Sequence, residues 1–317
     1  MFDPSSRLRL RFSFAHFRAP LAMAVFLASC LACAPRDVNS APATLKIATY
    51  NVENLFDGIP DNSRNKKERA KPKKELRALA DIFHLEQPDV VAMQEVESQK
   101  TLKDFRDKYL KDMNYQEPIV IDGNDPRGID VAVMSKFPIV SVKSHKDFKF
   151  ELKGRKRGFG RDLLQVTLKA PSGYTLTVFA VHLKSKLGDK NESDAVREAE
   201  AKAIQGLLKT YQSQNPKANF VVMGDFNDEP TSAPLKPLLG PQNPLGLVDI
   251  AAQDLGIKPS VFTYHPKRYR SRIDYILVSP SMMPEYRPRS VHIQQNPEAY
   301  WASDHLPLVA EFDALDK

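Results

Sequence analysis

From residue 45 onward the chain alternates short apolar, β-branched runs with polar clusters punctuated by proline. LKIATYN (45–51), DVVAMQE (89–95), IDVAVMS (129–135) and LLQVTLK (163–169) are the first four runs. YTLTVFAVHLKS (174–185), NFVVMGDFND (219–228), RIDYILVS (272–279) and HLPLVAEF (305–312) follow. Their mostly short length and their Val, Ile and aromatic content predict strands. Stretches such as VVAM and FVVM are apolar at every position, which predicts strands covered on both faces. Three segments have helical spacing instead. Residues 73–85 put Leu76, Leu79, Ala80 and Phe83 on one stripe; residues 100–113 do so with Leu102, Phe105, Tyr109 and Leu110. Residues 194–211 do so with Val196, Ala199, Ala203, Leu207 and Tyr211. Pro118, Pro126, Pro138, Pro171, Pro230 and Pro259 fall between elements, as loop residues should. Few helices among many strands predict an α/β sandwich, two sheets with helices packed outside.

Composition agrees with a globular chain. Of 317 residues 42% are hydrophobic and 27% charged, with no repeat at a solenoid period. Both cysteines, Cys30 and Cys33, lie near the N-terminus, so the folded part is expected to be free of disulfides. The segment RLRLRFSFAHFRAP is basic and LAMAVFLASCLACA is a short apolar run, the pattern of a secretory signal. The run is too short for a confident membrane span. Leu27-Ala28-Ser29-Cys30 resembles a bacterial lipoprotein box, whose cysteine is lipidated after cleavage. The alternatives are an ordinary signal peptide cut near Ala34 and an uncleaved anchor. The expected organisation is a signal peptide over 1–29, a tether over 30–44 and one domain over 45–317. The expected location is outside the cytoplasm, lipid-anchored at Cys30 or secreted. The formal charge of +7 favours polyanionic partners weakly, and removal of residues 1–29 lowers it to +4.

Chemistry-bearing side chains recur at strand ends. Asn51 closes the first strand, Glu95 the second and His182 a later one. Asp225 and Asn227 end FVVMGDFN, Asp274 opens DYILVS, and Asp304 and His305 precede the last strand. Each has a plain structural reading. Asp-x-Asn makes turns, a glutamate after an apolar run is a solvated strand end, and Ser-Asp-His caps a loop. Their joint recurrence beside strands points instead to a site on one sheet edge. Carboxylates and carboxamides outnumber histidines, and no cysteine takes part. Such an oxygen-rich set suits Mg²⁺, Mn²⁺ or Ca²⁺ better than zinc.

In this order NVENLFD, VVAMQEVE, RGIDVAVM, VHLKSK, GDFNDEP, RIDYILVS and SDHLPLV resemble the endonuclease/exonuclease/phosphatase superfamily. That family includes DNase I-like nucleases, abasic-site endonucleases, inositol-polyphosphate phosphatases and bacterial sphingomyelinases. The resemblance spans residues 45–313 and implies a four-layered α/β sandwich, two mixed β-sheets flanked by helices. It implies that Glu95 is the main metal ligand, with Asn51 organising metal and phosphate and Asp304 a second carboxylate near the metal. Asp225 matches the aspartate that aligns or deprotonates the attacking water, and Asn227 its phosphate-binding partner. His305 matches the histidine that stabilises phosphoryl charge, and Asp274 the carboxylate bonded to it. His182 resembles an additional histidine, a phosphate binder or acid for the leaving oxygen, which relatives support with a glutamate unassigned here. Arg127, in RGID, is a candidate phosphate contact.

The implied activity is metal-assisted, in-line water attack on a phosphoester. Basic clusters at 64–74, 153–161 and 267–272, with Phe159, Tyr264, Tyr269 and Trp301 interleaved or nearby, favour an exported nuclease or phosphodiesterase acting on nucleic acid. A phosphatase, a sphingomyelinase-like phospholipase and a non-catalytic binding protein of the same fold remain as alternatives. A monomer is expected.

Overall fold

The computed structural model describes residues 44–59, 69–241, 243–266 and 269–317. The signal segment, Cys30 and all of the tether except Thr44 lie outside the described residues. So do residues 64–68 of the first basic cluster and 267–268 of the third.

Fourteen strands and six α-helices follow one another among the described residues. They begin β1 (Thr44–Leu55), α1 (Lys73–Glu86), β2 (Val90–Val96), α2 (Gln99–Tyr109), β3 (Ile119–Val120), β4 (Asp130–Ser135) and β5 (Ile139–Ser144). Next come β6 (Lys149–Leu152), β7 (Arg155–Gly158), β8 (Leu164–Lys169), β9 (Thr175–His182), α3 (Lys190–Gln214) and β10 (Asn219–Asp225). The chain continues with α4 (Lys236–Leu239), β11 (Val248–Asp249), α5 (Ile250–Leu255) and β12 (Asp274–Val278). It closes with β13 (His292–Ile293), α6 (Ala299–Ala302) and β14 (Leu308–Asp313). All eight predicted strands and three predicted helices are present.

One six-stranded sheet has the order β13-β14-β1-β2-β4-β3, the other β11-β12-β10-β9-β8-β5. Each is mixed, because β1 and β2 run parallel in one and β9 and β10 in the other. The continuous apolar runs are explained by the layering. In β2, Val90 and Ala92 enter the core between the sheets, while Val91 and Met93 face α1 and α2. In β10, Val221 and Met223 face the same inner core while Val222 faces α3. Successive strand side chains point to opposite faces, so covering both faces demands an apolar residue at every position. The result is the four-layered sandwich expected. Among the described residues no helix is long and apolar enough to cross a membrane.

The stripe predicted for α3 is rotated. Its buried face carries Val196, Arg197, Glu200, Ala201, Ile204 and Leu208, whereas Ala199, Leu207 and Tyr211 are only partly covered. Two ionisable residues take core positions because each has partners there. Arg197 binds Asp194 and Asp228, and Glu200 accepts the backbone N–H groups of Gly160 and Lys184.

Candidate active site

Strand register gathers the site. Asp225, at the end of β10, pairs with His182 at the end of β9 and with Asp274 at the start of β12. Three adjacent strands thus present three functional groups side by side. Gly224 makes this approach possible: its φ is +151°, and a Cβ there would lie 2.0 Å from the Val181 carbonyl oxygen. The other sheet supplies the opposite wall. Pairing of β1 with β2 breaks after Asn51, and Glu53, Asn54 and Glu95 adopt φ of 46°, 53° and 65°. Left-handed backbone at non-glycine residues costs energy and persists where surrounding contacts hold it. Here Asn54 N–H donates to the Glu95 carboxylate at 3.1 Å. The loop before β14 is tied to the same place, since Ser303 donates to the Asn51 carbonyl at 2.7 Å.

Asp225 is the centre of the hydrogen-bond network. Its Oδ1 accepts the Asn227 backbone N–H at 2.7 Å, closing the turn that Asp-x-Asn favours. Its Oδ2 accepts from the carboxamides of Asn51 at 3.0 Å and Asn227 at 3.2 Å. The same oxygen lies 3.5 Å from His182 Nε2 and 3.8 Å from His305 Nε2. One carboxylate therefore shapes the turn with one oxygen and faces the site with the other. His305 Nδ1 lies 2.8 Å from Asp274 Oδ2, and its ring packs against Tyr264 with centroids 4.9 Å apart.

Environment separates the proton affinities of these groups. Burial and the nearby Asp274 charge raise Asp225 well above an ordinary carboxylate, against the opposing pull of His305. Burial disfavours the His305 cation, yet Asp274, Asp225 and Asp304 more than offset it and raise the imidazole to about 10. Burial, with the Arg161, His305 and Arg127 charges, drives His182 well below the usual histidine value. Two histidines against one aspartate are thus held in opposite states, His305 charged and His182 neutral. His182 Nδ1 is buried without a hydrogen-bond partner, so among the described residues no glutamate supports it.

The groups open on a cleft of about 350 Å³. Glu95, Arg127, His182, Asp225, Asn227, Asp304 and His305 line it, while Asn51 and Asp274 stand behind Asp225 and His305. Every residue expected at the site is brought to this one place. Arg127 also binds the Asn54 carboxamide oxygen. Sequence reasoning missed three contributors, Glu53, Asn54 and Lys186, and reached Arg161 only as the last residue of the basic cluster 153–161. Glu53 accepts the Asp304 backbone N–H at 2.8 Å. It lay within the motif NVENLFD, but nothing local marked it as turned inward. Burial first, then the charges of Glu53 and Glu95, raises Asp304 to about 6. Arg161 is buried beside Asp125 at 2.9 Å, and Lys186 binds Asp228 at 2.9 Å. Separately, ligand-type atoms of Asp225, Asp274 and His305 lie within 4.8 Å of one another, close enough to hold a metal.

Three expected groove residues, Phe159, Arg272 and Trp301, do not line the cleft. Phe159 is buried and packs against Phe150, because an aromatic ring gains more in the core than beside solvent-facing arginines. Arg272 is buried in a two-pronged ion pair with Asp249, so it is part of the scaffold. Tyr264 and Tyr269 do line the cleft. Exposed Trp301 instead carries Lys74 over its ring at 3.4 Å.

Two sheets that bring their polar strand ends to one shared edge form the DNase I-like fold of phosphoester hydrolases. Residues 48–305 match the model of the Endonuclease/Exonuclease/phosphatase family, and the chain belongs to that family. Among solved structures, the human nocturnin catalytic domain with bound sulfate anion is 22% identical, with a TM-score of 0.63; 85% of this chain and 94% of that one are covered. An endonuclease/exonuclease/phosphatase from Bacteroides vulgatus is 17% identical, with a TM-score of 0.60 and coverage of 85% and 98%. An AP endonuclease from Archaeoglobus fulgidus is 19% identical, with a TM-score of 0.56 and coverage of 85% and 99%. At these identities the likeness is one of fold. No curated protein sequence matches this chain.

Proposed function

We propose that the protein is an exported, divalent-metal-dependent phosphodiesterase that cleaves nucleic acid by in-line attack of water. The observation that carries this reading is the gathering of a proton acceptor, a charged histidine and several cations around one cleft. Asp225, His305 with Asp274 bonded behind it, Arg127, Arg161 and Lys186 all stand around it. A phosphate between them would meet cations, with a proton acceptor beside it. Asp225 has the raised proton affinity that a general base needs. It orients and deprotonates water, with Asn51 and Asn227 fixing its carboxylate. His305, kept charged by Asp274, donates from Nε2 to a phosphoryl oxygen as negative charge develops. His182 serves as a neutral N–H donor to phosphate, since its environment disfavours the protonated acid form.

Glu95, Glu53 and Asp304, with Asn51, offer the hard oxygen donors that Mg²⁺, Mn²⁺ or Ca²⁺ prefer. Burial is the main cause of the raised Asp304, and repulsion from Glu53 and Glu95 adds to it; a divalent cation would relieve that repulsion. The Asp225–Asp274–His305 group suits a cation less well, because the charged imidazole would repel it. A bound metal would supply neutralisation of the phosphoryl oxygens. Support for nucleic acid comes from Tyr264 and Tyr269 on the cleft wall, where planar bases can stack. Export, and a lipid anchor at Cys30, are proposed from the N-terminal sequence, and a monomer is the expected state.

The test is purified protein with plasmid DNA, RNA, sphingomyelin, inositol phosphates and bis(p-nitrophenyl) phosphate. Mg²⁺ or Mn²⁺ should support hydrolysis and EDTA should abolish it. Asp225→Asn should lower turnover by about 10³-fold or more. Activity that survives both EDTA and that substitution would sink the mechanism. Turnover of sphingomyelin or inositol phosphates without nucleic-acid cleavage would move the substrate to a lipid or small phosphate ester.

A further inference from the structure

The hairpin β6–β7 stands apart as a two-stranded sheet and is strongly basic. Lys149, Lys153, Arg155, Lys156 and Arg157 face a single carboxylate on the hairpin, Glu151. Arg155, Lys156 and Arg157 are exposed, and among the described residues none has an ion-pair partner. Unpaired like charges side by side repel one another, so a fold keeps them at a cost unless a polyanion relieves it.

The hairpin is also held in a definite place. Buried Glu200 of α3 accepts the Gly160 N–H at 3.2 Å and the Lys184 N–H at 2.8 Å. One carboxylate thereby staples the hairpin's foot to the segment leaving β9, which carries Lys184 and then Lys186. The Arg157 charge is felt at both Lys184 and Glu200, so Arg157 lies on this flank. Arg161, next after Gly160, already lines the cleft. Arg161 is four positions after Arg157, a span of at most about 14 Å. That is at most about four nucleotide steps of 3.4 Å rise along a duplex axis.

We infer that β6–β7 is a rail for the phosphate backbone, engaging a nucleic-acid strand several phosphates away from the one being cleaved. The inference rests on the nucleic-acid reading above and sharpens it: the preferred substrate is a polymer. A membrane surface fits the hairpin less well. Its turn is Lys153-Gly154, and Phe150 is half-buried against Phe159. The exposed Phe148 ring sits at the foot, also stacked on Phe159. A membrane-inserting tip would carry apolar side chains at the turn.

The test is the triple substitution Arg155→Ala/Lys156→Ala/Arg157→Ala in the full chain, all three positions being outside the cleft. Expected kcat/KM on kilobase plasmid falls about 10- to 100-fold at low salt, and its log–log salt dependence flattens by about 2. Hydrolysis of bis(p-nitrophenyl) phosphate stays within about twofold. An equal loss on both substrates, or an unchanged salt slope on plasmid, overturns the rail. So does loss of co-sedimentation with phosphatidylglycerol vesicles while plasmid kinetics are retained, which would assign the hairpin to lipid. Wild-type protein that hydrolyses the small diester but no nucleic acid also overturns it, while leaving the hydrolase standing. Wild-type protein inert on every substrate with metal present overturns both readings.

Discussion

Replacing Asp274 by asparagine keeps the side-chain shape but removes the charge that holds His305 as an imidazolium. Asp274 is almost fully buried, and its Oδ2 lies 2.8 Å from His305 Nδ1. Burial works against the His305 cation, yet the carboxylates around it raise it from 6.5 to about 10. At 1.36 kcal/mol per unit, a net shift of that size is worth about 5 kcal/mol. Asp274 leads the groups that raise it, ahead of Asp225. Its loss therefore lowers the pH at which the imidazolium gives up its proton. Loss of the charge that orients the imidazole and holds its proton should lower kcat/KM by about 10²- to 10⁴-fold. The assay is kcat/KM against pH on a small phosphodiester with Mg²⁺ or Mn²⁺, with thermal unfolding as a check on folding. The alkaline limb of the wild-type profile should extend toward pH 10, and that of the variant should descend toward the ordinary histidine range. A folded variant with kcat/KM within threefold of wild type and an unmoved alkaline limb would refute the role given to the pair.

Two further substitutions test the scaffold. Gly224→Ala forces a Cβ to within 2.0 Å of a backbone oxygen in the neighbouring strand, at a φ that disfavours side chains. It should destabilise by about 2–4 kcal/mol, read as a lower urea midpoint, and reduce activity by shifting Asp225; a midpoint unchanged from wild type would contradict the geometry. Glu86→Gln removes the carboxylate that binds His292 at 2.9 Å and so links α1 to β13. That bond raises His292, so its stabilisation is full below the ordinary histidine value and is lost as pH rises through the raised folded value. Burial opposes ionisation of Glu86, but His292 and Gln294 leave it lowered overall, so its share is lost as pH falls through that lowered value. With His292 partly exposed, wild type should exceed Glu86→Gln by about 0.5–1 kcal/mol near pH 5–6 and by less at pH 9. Denaturant unfolding at both pH values checks this, and a difference that does not vary with pH would remove the pair from the account.

The strands were legible because burial on both faces writes itself into sequence as continuous apolar runs, as in VVAM of β2. The exposed strand β5 was not legible: IVSVKS lies at a sheet edge and leaves most of its side chains to solvent. The two-residue strands β3, β11 and β13 are too short to carry a period. Helix α3 was found but turned, because pattern reading sends Arg197 and Glu200 to solvent. Only their tertiary partners, Asp228 across the fold and the backbone of two loops, make their burial tolerable.

The sequence by itself determined which residue types stand at strand ends, and so the chemistry available. That information is local: an aspartate ending FVVMG or a histidine in SDH needs no distant contact to be recognised. Only the tertiary structure decided what those groups do to one another. Asn51 reaches Asp225 across 174 positions, and Ser303 reaches Asn51 across 252. The opposite charge states of His182 and His305 arise the same way. Both are buried against Asp225, but His305 meets Asp274 while His182 meets arginines. Proton affinity depends on burial and on the sign of nearby charge, and both are set by the packing of remote segments. The basic run at 153–161 divides for the same reason: Phe159 goes to the core, Arg161 to the cleft and Arg155–Arg157 to the hairpin surface.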